Sequence, residues 1–338
     1  MGRVTRRYPV VRVDSANPSG VRSVETVAVE EPLEIRVNGA PYSVTMRTPG
    51  HDVEMAHGLL ASEGVIADAE DLRTARYCGG ASRTPSLEPQ VVAEGAAWLR
   101  DAWDAPETSR SNAVDSGQDS GHSHGHAHGR GIDLTGTPPA SGASSQNTYN
   151  VLDIRLASEV TVPEQRRRSL VTSSACGVCG TATIELLRQH QTFDLRDDDV
   201  RVSADVLLAL PETLRKHQAT FARTGGLHAA GLFTATGETL VVREDVGRHN
   251  AVDKVVGWAM MNDLRPARGC VLMVSGRTSF ELAQKAVLAG VPVLAGVSAP
   301  SSLAIDIATD AGLTLAGFVR DDRMNLYAAQ ERITPADA

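Results

Sequence analysis

A regular alternation of apolar strands and helices near the C-terminus constrains the fold of this chain more than any other feature. Residues 270–274 form a short apolar run typical of a buried strand, and similar runs occupy residues 291–297 and 313–319. Helical patterns lie between these runs, and a glycine follows each pattern. Strand, helix, strand, helix and strand with short connections predict right-handed crossovers and a sheet that is parallel in this portion.

The segments just before this alternation add a hairpin and a further helix. Residues 232–236 and 239–243 flank the pair Gly237-Glu238, which predicts a hairpin, and residues 251–260 carry a helical pattern. Together with the C-terminal elements, these segments predict an α/β domain of three layers, in which helices cover a mixed sheet.

Two of the predicted C-terminal helices begin at residues suited to capping. Thr278 and Glu281 have the spacing of a capping box, and Ser301 or Ser302 is placed to cap the next helix. We therefore expect both helices to begin directly after the strands that precede them.

The N-terminal part predicts a small α+β domain. Alternating apolar positions on both sides of Asn38-Gly39 predict a hairpin, because this pair accepts the positive φ angles of a type I′ turn. The pair Thr48-Pro49 then predicts an N-cap and the first position of a helix that runs to about Ala61.

Between these parts lies a segment rich in Ser, Gly, Asp, His and Pro. It has almost no large apolar residue, so it cannot bury enough surface to offset the entropy of ordering it. The four alternating histidines of residues 122–128 are able to bind a transition metal, but we interpret the segment as a solvated linker or insertion. The predicted organisation is an N-terminal domain of residues 1–107, an insertion of residues 108–148 and a C-terminal domain of residues 149–338.

Composition excludes several functional classes. The 338 residues carry a formal net charge of -8, whereas nonspecific nucleic-acid binding calls for a basic surplus. No apolar run approaches the roughly 20 residues of a membrane span, and residues 1–13 lack the apolar core of a signal peptide. We expect a cytoplasmic protein with no nucleic-acid or membrane partner.

Two cysteines three positions apart carry the clearest chemical signal. Cys176 and Cys179 stand in the run Ser-Ser-Ala-Cys-Gly-Val-Cys-Gly of residues 173–180, after three arginines and before a helical pattern. Such a pair can share a metal, form a disulfide or relay a sulfur atom. A helix N-terminus depresses the pKa of a thiol and so raises its thiolate fraction. Flanking glycines leave the sulfurs without side-chain cover.

The loops that follow the predicted strands are suited to an anionic ligand. Ser275, Arg277, Thr278 and Ser279 follow one strand, and residues 298–302 follow the next with a similar set of small hydroxyl residues. Ligands of open α/β sheets bind beyond the carboxyl ends of the strands, where free N–H groups, hydroxyls and arginines can hold phosphate. Either loop alone is also explained by ordinary helix capping.

A polar run of residues 245–250 and the stretch of residues 318–323 supply further candidates. His249 stands beside Arg248 in the first, and we place Asp253 and Lys254 on the polar face of the helix that follows. Arg320 and Arg323 of the second can hold phosphate or pair with the neighbouring aspartates. Residues 225–228, Gly-Gly-Leu-His, are harder to interpret on their own.

Other cysteine chemistry fits the sequence less well. A zinc deaminase needs H-x-E before P-C-x-x-C, and neither the proline nor the H-x-E is present. A structural zinc would need further ligands such as Cys78 and Cys270, but Cys270 begins an apparent buried strand. No metal site is predicted.

The chain resembles the FdhD family of formate dehydrogenase accessory sulfurtransferases over nearly its whole length. The matching residues are Asn38-Gly39, Thr48-Pro49, Glu63-Gly64 and the runs at 174–180, 224–228, 243–250, 275–281, 299–301 and 323–325. The insertion with its histidines departs from the family pattern.

This resemblance implies a specific fold and activity. The C-terminal domain would be similar to the cytidine-deaminase fold without its zinc site. The protein would accept sulfur from a cysteine desulfurase and pass it to molybdenum bis(molybdopterin guanine dinucleotide), which then enters formate dehydrogenase. Cys176 would carry the persulfide, with Cys179 assisting, and the protein would form a homodimer. The cofactor would be contacted by six consecutive residues near the C-terminus: Phe318, Val319, Arg320, Asp321, Asp322 and Arg323. The alternative is a chaperone that binds the cofactor without transferring sulfur.

Overall fold

The structure is a computed structural model that describes residues 3–18, 20–78, 150–162, 187 and 191–335. All of these residues belong to one unit of the chain. Its strands are β1 (Thr5–Arg12), β2 (Val21–Ala28), β3 (Glu31–Val37), β4 (Ala40–Arg47), β5 (Leu72–Tyr77), β6 (Val151–Leu156), β7 (Val202–Ser203), β8 (His228–Thr234), β9 (Thr239–Asp245), β10 (Cys270–Val274), β11 (Val293–Gly296), β12 (Thr314–Arg320), β13 (Arg323–Ala328) and β14 (Ile333–Thr334). Its α-helices are α1 (Asp52–Ser62), α2 (Ala204–Lys216), α3 (Ala219–Thr224), α4 (Arg248–Met261), α5 (Phe280–Leu288) and α6 (Ser302–Ala311).

A four-stranded sheet of order β4-β3-β6-β5 forms the N-terminal part. The predicted hairpin is confirmed: β3 and β4 pair antiparallel, and Asn38 and Gly39 between them have φ angles of 52° and 82°. β6 follows the predicted domain boundary at residue 149, and it pairs with β3 and β5 of this sheet. The division of the chain into domains stays a prediction.

A six-stranded mixed sheet of order β13-β12-β11-β10-β8-β9 forms the C-terminal part. The predicted parallel portion is confirmed, because β10, β11 and β12 pair parallel through the crossovers α5 and α6. β8, β9 and β13 join antiparallel at the two sides, and β8 and β9 form the predicted hairpin.

Alternate side chains of this sheet bury two apolar cores. Leu272 and Val274 of β10 pack with α4, α5 and α6, whereas Val271 and Met273 pack with α2. A strand buried on both faces reads as a continuous apolar run, which is why β10 was recognisable in the sequence. Helices therefore cover both faces of a mixed sheet, as the sequence predicts.

Two helices that are far apart in the sequence cross in close contact. α1 packs against α4. A Cβ built on Gly58 would lie 2.0 Å from the carbonyl oxygen of Asp253, and one built on Gly257 would lie 1.7 Å from that of Glu54. Each helix thus presents a glycine to the backbone of the other, and this crossing joins the two sheets.

Three local expectations are wrong, and in two of them a distant contact replaces the predicted one. α1 begins at Asp52, and the hydroxyl of Thr48 accepts a hydrogen bond from the N–H of Val246 instead of capping the helix. Ser279 rather than Thr278 precedes α5, without a capping side chain. Glu281 pairs with His249 instead of closing a capping box.

The helix α4 does not have the polar face that its sequence suggests. Asp253 and Lys254 are both buried, and each is paired with an opposite charge. The expectation that they lie on a solvated face is therefore wrong.

In the described part of the chain, no helix is both long and apolar enough to span a bilayer.

Candidate functional site

The predicted sulfur-carrying residues, Cys176 and Cys179, lie outside the described residues. The structure describes Cys78, which is exposed, and Cys270, which is buried in the sheet. Burial raises the pKa of Cys270 to about 11, so this thiol stays protonated near neutral pH and is a poor nucleophile. Cys270 therefore has the inert apolar role that its strand position predicts.

The two polar loops predicted at the sheet edge lie side by side. The N–H of Thr278 donates to the carbonyl oxygen of Ala299 over 3.2 Å, and the N–H of Ser301 donates to that of Thr278 over 3.0 Å. The side chain of Ser301 accepts from the N–H of Ala304 and so caps α6 as predicted. The loops after β10 and β11 thus form one connected edge, beyond the carboxyl ends of the parallel strands.

The residues of the first loop differ widely in exposure. Arg277 is exposed, whereas Thr278 is fully buried. Among the described residues, no partner contacts the hydroxyl of Thr278. The hydroxyl of Ser275 accepts from the N–H of Ala229 over 2.9 Å, which ties the loop to the start of β8. Of this loop, Arg277 therefore has the side chain most open to a ligand.

His249 connects the start of α4 to the start of α5. Its Nε2 lies 2.6 Å from a carboxylate oxygen of Glu281 and 3.3 Å from the hydroxyl of Ser279. The hydrogen bond from His249 lowers the pKa of Glu281, against the opposing effect of burial. The imidazole is thus held in place beside the first loop by groups on a different helix.

The other polar residues around His249 have structural partners. The ammonium of Lys254 is 1% exposed, donates to Asp245 Oδ2 over 2.6 Å, and also donates to the carbonyl oxygen of Thr48 over 3.0 Å. The other oxygen of Asp245 accepts from Asn250 over 3.0 Å and from the N–H of Gly247 over 2.8 Å. These contacts fasten the N-terminal sheet to α4, so Lys254 is not available to a ligand.

The predicted cofactor-contact stretch lies at the same sheet edge. Phe318, Val319 and Arg320 end β12, Asp321 and Asp322 form the turn, and Arg323 begins β13. The N–H of Phe318 donates to the carbonyl oxygen of Ser298 over 3.2 Å, which joins the stretch to the second loop.

Within this stretch the side chains face different surroundings. Phe318 and Asp321 have positive φ angles of 53° and 52°, and the guanidinium of Arg320 lies 5.8 Å from the ring centroid of Phe318. Val319 is fully buried in the core beneath α2. Arg320 and Arg323 are exposed and present two positive charges at this edge.

A cavity of about 530 Å³ at this edge is a feature that the sequence did not reveal. Gln218 and Phe221 line it, together with the Gly-Gly-Leu-His run of residues 225–228. That run belongs to the residues that match the family, but its sequence alone indicated no binding role. Nothing in the sequence marked Gln218 as a residue of a cavity, because a single glutamine between two helices belongs to no motif.

The assembled edge has the chemistry of an anion-binding surface. It brings together exposed arginines, hydroxyl residues and the starts of α5 and α6, all of which can donate to phosphate. Within the described ranges, His, Cys, Asp and Glu side chains form no group of three or more able to hold a metal ion.

Comparison with known proteins identifies relatives over the whole chain. Residues 28–133 and 140–334 match the FdhD/NarQ family. The sulfur carrier protein FdhD of Nocardia farcinica is 44% identical over 337 residues, which cover 100% of this chain and 98% of that protein. The sulfur carrier protein FdhD of Mycobacterium tuberculosis is 47% identical over 311 residues, or 92% of each chain.

A solved structure shares the fold. A crystal structure of a putative formate dehydrogenase accessory protein from Desulfotalea psychrophila superimposes with a TM-score of 0.62, at 19% identity. The superposition covers 98% of this chain and 100% of that one. The mixed α/β arrangement described above is therefore also present in an experimental structure.

Proposed function

The chain belongs to the FdhD/NarQ family, and from this premise we propose that it carries sulfur as a persulfide from a cysteine desulfurase to a molybdenum cofactor. The observation that carries the proposal is the Cys176-x-x-Cys179 pair, which lies inside the matched range of residues 140–334. Relatives that share more than two fifths of their residues with this chain are named sulfur carriers.

The first step is a thiol exchange at Cys176. Its thiolate attacks the outer sulfur of the desulfurase persulfide, the S–S bond breaks, and the thiolate of the desulfurase leaves. One S–S bond forms as another breaks, so the exchange needs no external oxidant or reductant. The glycine that follows Cys176 favours this attack, because it adds no side chain that would shield the thiolate.

The second step releases the sulfur at the reduction level of sulfide. The thiolate of Cys179 attacks the inner sulfur of the Cys176 persulfide, a disulfide forms between the two cysteines, and hydrosulfide leaves toward the cargo. The electron pair comes from Cys179. A cellular dithiol then reduces the Cys176–Cys179 disulfide by thiol exchange, is itself oxidised to a disulfide, and so restores the carrier.

The proposed cargo is molybdenum bis(molybdopterin guanine dinucleotide), which then enters formate dehydrogenase. Support comes from the sheet edge, where Arg277, Arg320 and Arg323 are exposed beside hydroxyl residues suited to phosphate. We also propose a cytidine-deaminase-like C-terminal domain, a homodimer and a cytoplasmic location. The proposed domain limits remain residues 1–107, 108–148 and 149–338.

Formate dehydrogenase activity in a strain that lacks this protein tests the proposal. The parent chain should restore activity, and Cys176→Ala should not, although it should accumulate to the parent level. Cys270→Ser and Cys78→Ser should restore it, as matched cysteine controls outside the pair. Full activity with Cys176→Ala would reject sulfur carriage and favour a chaperone that binds the cofactor only.

A further inference from the structure

The hairpin of β1 and β2 stands apart from both larger sheets. The two strands pair antiparallel along their whole length, from Thr5 opposite Ala28 to Arg12 opposite Val21. Within the described residues, no further strand joins them. A lone two-stranded hairpin is at best marginally stable in water, because it buries too little apolar surface. This hairpin therefore depends on whatever packs against it.

The helix α3 supports the hairpin and fixes its position. β2 packs against α3, and the guanidinium of Arg223 in α3 donates to the hydroxyl of Thr5 over 3.4 Å. Phe221 of the same helix lines the cavity at the carboxyl edge of the six-stranded sheet. The hairpin therefore stands beside the edge at which the proposed cargo binds.

One face of the hairpin combines exposed apolar residues with exposed arginines. Pro9 pairs with Val24 and Val11 pairs with Arg22, and these four residues share a face with Arg7 because side chains alternate along each strand. Val11 and Val24 are 60% and 52% exposed, and Arg7, Pro9 and Arg22 are exposed as well. We call these five residues the docking face, since neighbouring apolar side chains left in water often mark an interaction site.

The arginines of the docking face are free to pair with another molecule. On the opposite face of the hairpin, Arg12 already forms an ion pair with Glu25. Among the residues that the structure describes, no acidic side chain pairs with Arg7 or Arg22. The docking face therefore presents two unneutralised positive charges beside its apolar residues.

The charge of the hairpin is opposite to that of the protein as a whole. Residues 1–28 carry five arginines and two acidic residues, whereas the complete chain has a formal net charge of -8. A basic patch on an acidic protein attracts an acidic partner and orients it, because the rest of the surface repels that partner. The charge pattern thus favours a partner with carboxylates at its contact surface.

The composition of the docking face favours a folded protein surface over a further strand or a lipid surface. Pro9 has no N–H to donate, which makes the outer edge of β1 a poor template for another strand. Segments that insert into a lipid interface carry Trp, Phe or Leu beside their cations, whereas this face carries Val and Pro. Its small, β-branched side chains are suited to packing against other side chains.

We propose that the docking face binds an acidic, partly apolar surface of the formate dehydrogenase chain that receives the cargo. The inference rests on the proposed function, in which the cofactor passes from this protein to the dehydrogenase. The hairpin adjoins the edge that holds the cargo, so a dehydrogenase seated on it lies next to the cofactor that it takes up. This adjacency is the reason for assigning the face to the recipient of the cargo rather than to the donor of the sulfur.

Biolayer interferometry between the full-length protein and purified, cofactor-free formate dehydrogenase tests the apolar part of the docking face. The parent should bind. Val11→Thr combined with Val24→Thr keeps the β-branched shape but puts hydroxyls into the contact, so the affinity should fall about tenfold or more. Val44→Thr, at a valine of β4 that is 40% exposed, is the matched control and should bind as the parent does.

The charges of the docking face are tested by Arg7→Gln combined with Arg22→Gln. The affinity of the parent for the dehydrogenase should fall as salt is added, and this double variant should bind more weakly and show a smaller dependence on salt. Arg201→Gln, at an exposed arginine in another part of the chain, is the control and should keep the salt dependence of the parent. Both hairpin variants should unfold at the parent temperature, because the replaced side chains are exposed.

Parent-like affinity in both hairpin variants, or a parent that does not bind the cofactor-free dehydrogenase, would overturn the proposal. Loss of a dimer in sedimentation of the hairpin variants would also overturn it, by assigning the face to a second copy of the chain. Vesicles of phosphatidylglycerol that bind the parent but not the variants would do the same, by assigning it to a lipid surface.

Persulfide loading of Cys176 by a cysteine desulfurase, followed by mass, separates this proposal from the proposed function. Loading should reach the parent level in both hairpin variants, and reduced loading would assign the docking face to the desulfurase instead. Loading of the parent itself decides the sulfur function, whichever result the binding measurements give.

Discussion

Gly257 of α4 lies so close to the backbone of Glu54 in α1 that an added Cβ would be 1.7 Å from the Glu54 carbonyl oxygen. Backbone cannot move aside as the end of a side chain can. The reciprocal approach of Gly58 to Asp253 places a second glycine at the same crossing. The position of the N-terminal sheet relative to the C-terminal one therefore depends on these two residues.

Gly257→Ala should destabilise the protein by about 1–3 kcal/mol, at the upper end because the obstacle is backbone. Alanine favours a helix over glycine by about 1 kcal/mol, so any loss is due to the crossing. Gly226→Ala is the control, since its Cβ would meet its nearest neighbour at 3.8 Å. Denaturant unfolding measures both, and equal stability of Gly257→Ala and the parent would contradict the tight crossing.

Lys254→Met should destabilise the protein by about 3–5 kcal/mol, because it leaves the buried carboxylate of Asp245 without its charge partner. Lys216→Met is the matched control: its pair with Glu212 is exposed, with side-chain exposures of 69% and 76%, and its loss should be barely measurable. Chemical denaturation of the two variants beside the parent gives the comparison. A similar small effect in both would show that Asp245 is not held as described.

The hydrogen bond from His249 should control the acid titration of Glu281. Because this bond lowers the folded-state pKa of Glu281, its stabilisation is present above the ordinary value of 4.5 and is lost as pH falls through the folded value. In His249→Gln, a carbon-13 NMR titration should find the pKa of Glu281 shifted upward. His217→Gln, at an exposed histidine, is the control and should leave the pKa of Glu281 unchanged. An unchanged pKa of Glu281 in His249→Gln would contradict the pairing of His249 with Glu281.

The sequence predicts local structure well where neighbouring residues decide it. Asn38-Gly39 determines its turn through its own backbone preferences, and β10 is apolar because both of its faces are buried. Thr48 and Glu281 have the right spacing for helix caps but bind partners about 200 and about 30 residues away. Spacing along the chain carries no information about those partners.

The same limit explains which features of the candidate site could be predicted from the sequence. The loops after β10 and β11 were predictable because the carboxyl ends of parallel strands share one edge of a sheet. The burial of Lys254 against Asp245 and the unpaired amide of Gln218 arise from packing between separate elements. Neither feature can be predicted from the composition of the chain or from the periodicity of its apolar residues.

Arg323→Ala and Arg277→Ala should each weaken GDP binding by about ten- to a hundredfold, the effect of losing a charge-assisted contact of about 1.5–3 kcal/mol. Both arginines are exposed at the sheet edge. Arg201→Ala, at an exposed arginine that donates to the carbonyl oxygen of Asp199, should bind as the parent does. Calorimetric titration with GDP compares the affinities of the three variants with that of the parent. Parent-like affinity in both Arg323→Ala and Arg277→Ala would show that the phosphates bind elsewhere.

The most direct test of sulfur carriage is the intact mass of the protein after incubation with a cysteine desulfurase and cysteine. The parent should gain the mass of one sulfur atom, which a reducing agent removes, and Cys179→Ala should gain it as well. Cys176→Ala should gain none. An equal gain in Cys176→Ala, or no gain in the parent, would contradict the proposal that Cys176 carries the persulfide.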